Sequence, residues 1–142
     1  EAENITSDVM FGKKGEVSLK DHNAGTAYGW GGFTPERAVY PSYTPTSTAA
    51  QTLTLKDVPA KAFWSITVYD AEGFPQGEIY NINSQFAVAE VDGSYVIRFG
   101  GDRDAPNYMD TYDGWNFTLR IYEPTEAYFN GEWLKPDLQL VE

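Results

Sequence analysis

Three segments of this chain switch between apolar and polar residues at every step. That period of two fits a strand with one buried face and does not fit an amphipathic helix. In Gln51–Leu55, Leu53 and Leu55 alternate with Thr52 and Thr54. Over 63–69, Trp64, Ile66 and Val68 share one face, while Phe63, Ser65, Thr67 and Tyr69 share the other. Over 115–122, Trp115, Phe117, Leu119 and Ile121 oppose Asn116, Thr118, Arg120 and Tyr122. β-Branched and aromatic residues dominate these runs, as strands prefer. Further strands are expected at 16–19, 86–91, 95–99 and 138–141. Between the second and third of these segments, Val91-Asp92-Gly93-Ser94-Tyr95 carries the Asp-Gly signal of a hairpin with a type I′ turn. Thr34-Pro35-Glu36 reads as a helix start that Pro41 soon stops, and Glu126–Phe129 reads as one turn of helix. Seven or so short strands separated by Gly, Pro and Asp predict an all-β fold, an antiparallel jelly-roll-like β-sandwich. Parallel pairing would need crossovers of about a dozen residues, and there is no room for them.

A length of 142 residues suits one domain. Residues 1–23 form an N-terminal extension packed on it or leading into it, and 24–142 form the sandwich. Four Trp, ten Tyr and eight Phe supply the core. The net charge of −11, from 21 acidic against 10 basic residues, repels phosphate backbones. The densest basic run is Lys13-Lys14, so nucleic acid is excluded as a partner. With no cysteine, disulfides, thiolate nucleophiles, cysteine zinc sites and iron–sulfur clusters are excluded too. No apolar run reaches the roughly 20 residues of a membrane span. The chain opens at Glu1 and not at Met, which fits removal of an upstream segment. A periplasmic or secreted location is expected ahead of a cytoplasmic one.

Several motifs occur together in order. They are Ala38-Val39-Tyr40-Pro41-Ser42-Tyr43, Phe63 to Asp70 followed by Gly73, Leu119-Arg120-Ile121-Tyr122 with Pro124, and Gly131-Glu132-Trp133 with Pro136. Over roughly residues 24–141 the chain resembles the domain of unknown function family numbered 1214. In larger bacterial proteins that domain usually follows another of unknown function, numbered 1254. The resemblance implies a jelly-roll-like sandwich, here in a free-standing version, and implies no activity. Where the family typically reads Asn-Trp with Pro two residues on, this chain has Asn107-Tyr108-Met109-Asp110.

Candidate sites follow from residue chemistry. His22 is the only histidine and sits in the polar Asp21-His22-Asn23 with no nucleophile motif, so it reads as a loop residue. Asp102, Asp104, Asp110 and Asp113 crowd one expected loop, 100–112 and its edge. Clustered carboxylates there would suit a hard cation such as Ca²⁺, although the spacing is not that of an EF-hand and a solvated loop is the plainer reading. The glycine-rich stretch 25–32 reads as a packed loop. Its Tyr28 and Trp30, with Tyr40 and Tyr43, would make either core packing or an aromatic platform for a ligand. Arg98 and Arg120 belong on the polar faces of their strands, where Arg120 could also hold an anionic ligand. The leading expectation is a non-enzymatic binding or interaction domain with an aromatic-rich surface for a carbohydrate, a small amphipathic molecule or a protein. The alternatives are a carboxylate-based hydrolase with a hard cation, and a structural unit forming homo-oligomers.

Overall fold

The computed structural model describes residues 34–142. The expected strand at 16–19, the glycine-rich loop, and the candidates His22, Tyr28 and Trp30 lie outside them. Among the described residues, nine strands and one helix follow in chain order: β1 (Ala38–Val39), β2 (Ser42–Tyr43), β3 (Gln51–Leu55), β4 (Trp64–Tyr69), β5 (Asn81–Asn83), β6 (Tyr95–Phe99), β7 (Tyr108–Met109), β8 (Asn116–Tyr122), α1 (Glu126–Phe129) and β9 (Gln139–Leu140). One sheet runs β1-β8-β4-β5, with β2 also on β8, and the other runs β7-β6-β3-β9.

The period of two places each core side chain. In the first sheet Trp64, Ile66 and Val68 stand opposite Ile121, Leu119 and Phe117, and all six are buried. In the second, Leu53 stands opposite Ile97 and Met109 beside Phe99. These inner faces form one hydrophobic cluster, which is the expected β-sandwich. Phe117 sits at its centre. Its ring stacks on Tyr43 at 4.4 Å, on Phe99 at 4.5 Å and on Trp115 at 5.7 Å between centroids.

The polar partners of the core aromatics are supplied by backbone carbonyls, as buried Tyr and Trp require. Tyr43 donates to the Pro136 carbonyl at 2.7 Å, Trp115 to Ser47 at 2.9 Å and Trp133 to Lys56 at 3.0 Å. Residues of the Gly131-to-Pro136 motif therefore tie the C-terminal segment to the sandwich. Burial raises the Tyr43 hydroxyl above its ordinary pKa, with Asp137 adding to the effect, and burial also raises Tyr128. A raised tyrosine stabilises the fold while neutral. That contribution is complete below the unfolded value of 10.0 and is lost as pH rises through the folded value. In an alkaline titration followed at the tyrosinate absorbance, part of the ten tyrosines should lag and ionise together with unfolding. A single phase with the fold intact would contradict this.

Several local expectations are corrected. Residues 35–37 make a turn and no helix, closed by Arg37 and Ala38 donating to the Thr34 carbonyl. Residues 86–91 are not a strand. The Val88 N–H and C=O are both taken by the Asn107 side chain, at 2.8 Å each, so no ladder partner is left to organise them. The reversal at Asp92-Gly93 is a three-residue loop and not a type I′ turn. Glu90 donates to the Ser94 carbonyl and Gly93 to the Glu90 carbonyl, and only Gly93 has positive φ, +83°. The expected loop 100–112 contains β7, which pairs parallel with β6. That makes the second sheet mixed.

Candidate functional site

The structure separates the residues singled out from sequence. Tyr43 faces the core and is buried, with Lys135 Nζ 3.9 Å from its ring centroid. Arg120 projects from the other face of the same sheet, where it donates to Thr67 Oγ1 at 3.1 Å and to the Tyr69 hydroxyl at 2.5 Å. Asn81 completes this outer network through Thr67 at 2.8 Å. Tyr43 and Arg120 are thus on opposite sides of one sheet and cannot share a ligand. Tyr40 is half-buried between β1 and β2. Arg98 lies on the outer face of its sheet, donating to the Pro106 carbonyl at 2.9 Å and facing Glu90 at 3.7 Å.

The four aspartates of the expected acidic loop do not converge. Asp102 and Asp113 are exposed, as is Asp104, whose backbone N–H is held by the Asp102 carboxylate at 3.0 Å. Asp110 is buried. One of its oxygens accepts the Glu78 and Ile79 N–H groups at 3.3 and 3.1 Å, and the other meets Arg103 at 3.3 Å. Among the described residues no group of three or more acidic or histidine side chains is placed to hold a metal ion. Sequence reading missed the role Asp110 shares with Asp70. Asp70 is likewise buried and accepts the N–H groups of Glu72 and Phe74 and the side chain of Gln76. Together the two carboxylates staple the loop between β4 and β5. That loop is packed closely enough that a Cβ on Gly77 (φ +79°) would come within 1.9 Å of the Tyr112 hydroxyl.

The concave feature with the most suitable chemistry sits at one end of the sandwich. There β3 ends at Leu55, β4 begins at Trp64, β6 begins at Tyr95 across from Leu55, and β5 gives way to Ser84. These ends and the loop 57–62 enclose a groove of about 300 Å³, within the range of small-molecule sites. Leu55, Val58, Ala60 and Ala62 supply apolar lining, Phe63, Trp64 and Tyr95 the rings, and Asp57 and Ser84 the polar groups. Trp64 and Tyr95 meet edge to face, 5.2 Å apart at 76°; Trp64 is buried, so Tyr95 is the ring of the pair that faces the groove. Phe63 is held beside them by stacking on Tyr122 at 4.4 Å. Ser84 fixes the start of β4 by accepting from the Trp64 N–H at 3.3 Å. The groove gathers residues from three separated segments. The available sequence signal was that Trp64 and the Asp92-Gly93 turn both fall at strand ends.

Comparison with known proteins agrees with this architecture. The family model described as "Protein of unknown function (DUF1214)" matches residues 44–126. No curated protein matches the chain. Solved structures do, two of them as follows. The VPA0106 protein from Vibrio parahaemolyticus has a TM-score of 0.73 at 19% identity, over 99% of this chain and 40% of its own. An uncharacterized protein from Burkholderia cenocepacia has a TM-score of 0.56 at 14% identity, over 74% of this chain and 29% of its own. The chain therefore spans less than half the length of either, and the likeness concerns the fold alone.

Proposed function

This chain belongs to the family of unknown function 1214, and from its own geometry we propose that it is a non-enzymatic binding domain that takes a small amphipathic molecule at the open end of the sandwich. The observation that carries this reading is the groove of about 300 Å³ where Phe63, Tyr95, Val58, Ala60 and Ala62 meet Asp57 and Ser84, a volume within the range of small-molecule sites. A second observation supports binding over carboxylate chemistry. The buried acids Asp70 and Asp110 already spend oxygens on backbone N–H groups. Both structural relatives are bacterial, which favours a bacterial source.

A thermal-shift screen over small amphipathic amines, alcohols, acids and sugars tests the reading. A ligand at about 100 times its Kd adds about 2.7 kcal/mol to stability, which moves the melting point of a domain this size by roughly 5–10 °C. Ala62→Trp, at an exposed lining position, fills the groove and should abolish the shift. The reading fails if no compound moves the melting point, or if the shift survives in Ala62→Trp.

A further inference from the structure

We infer that the groove selects a small organic cation, an ammonium or guanidinium compound with an apolar body; this rests on the groove being the ligand site. Three features of the groove point the same way. Among the described residues, the one charged side chain lining it is the carboxylate of Asp57, which makes no ion pair with any of them. Its nearest basic neighbours in sequence, Lys56 and Lys61, are exposed and do not line it. The remaining chemistry includes the half-buried rings of Phe63 and Tyr95. Aromatic rings attract cations through the negative potential of their faces.

The charge of the whole molecule acts in the same sense. At −11 the protein concentrates cations at its surface and repels anions, so an anionic ligand would face both the overall field and Asp57. The backbone at Asp57 is left-handed, with φ +50°, a conformation open to Asp and Asn but strained for most other residues. Asp57→Asn therefore removes the charge while keeping the shape and the backbone.

Calorimetric titrations with benzyltrimethylammonium, benzylamine, benzyl alcohol and benzoate test this at fixed low salt. The two cations should bind, with benzyl alcohol at least tenfold weaker and benzoate weaker still. Asp57→Asn should weaken the cations about tenfold and leave benzyl alcohol unchanged. Asp113→Asn, at an exposed carboxylate in another loop, should leave every affinity unchanged. If the alcohol binds as well as the cations, or if Asp113→Asn weakens them as much as Asp57→Asn, cation selection by the groove is wrong although the groove remains the ligand site. If none of the four binds and the wider thermal-shift screen is also silent, the binding reading falls with it. Melting points of both unliganded variants, expected to match the parent, exclude a folding defect.

Discussion

Phe117→Ala should cost about 3–5 kcal/mol of folding stability, the range for removing a large aromatic side chain from a packed core. The ring is fully buried and touches both sheets. It stacks on Tyr43 of its own sheet and on Phe99 of the opposite one, with Trp115 closing the cluster. Truncation leaves a cavity between the sheets and removes stacking that contributes about 0.5–1.5 kcal/mol per pair beyond burial. Urea denaturation should show a lower midpoint with the slope retained, because the surface exposed on unfolding changes little. The matching change on the outer face, Thr118→Ala, should stay within about 1 kcal/mol. Equal costs at the two neighbouring positions would contradict a sandwich built on alternation.

Asn107→Ala should be the most damaging loop substitution, at about 2–4 kcal/mol. The buried side chain makes three hydrogen bonds to backbone: from the Val88 N–H at 2.8 Å, and to the Val88 and Val96 carbonyls at 2.8 and 3.2 Å. Each contributes about 1 kcal/mol net, and leaving a buried partner unpaired costs more. The residue also adopts φ +56°, which costs an ordinary L-residue about 1–2 kcal/mol. Asn107→Gly separates the two effects, since glycine keeps the backbone at ease but restores no bond. It should recover about 1 kcal/mol relative to Asn107→Ala. Amide exchange should accelerate at Val88 in both variants. An unchanged Val88 would mean that the clamp does not hold residues 86–91.

The same clamp explains where sequence reading succeeds and where it stops. Alternation located β3, β4 and β8 because each has a partner strand and a buried face, and both demands are written in consecutive residues; the Asp92-Gly93 turn signal located β6. Residues 86–91 carry apolar side chains at strand-like positions, yet Phe86 is 81% exposed and Val88 57%. Their backbone answers to Asn107, about twenty positions away, and no local pattern reports that. β7 was hidden for a related reason: two residues pairing parallel with β6 depend on the path of the preceding loop. Asp102 and Asp104 read as one cluster with Asp110 because they are close in sequence. The fold turns Asp110 inward to Glu78 and Ile79 and leaves the other two in solvent. Arg120 and Tyr43 were grouped by chemistry, although the pleat sends them to opposite faces. The groove was legible only in fragments, since its lining comes from three segments that meet at one end of the sandwich.

The most direct test of the binding reading is to follow the Trp64 indole N–H and the backbone amides of Asp57, Ser84 and Tyr95 by NMR while adding benzyltrimethylammonium. Saturable shifts confined to these signals, absent in Ala62→Trp, are the predicted result. Shifts centred instead on Arg120, Thr67 and Tyr69 would move the ligand to the outer face of the other side of the sheet and contradict the assignment of the groove.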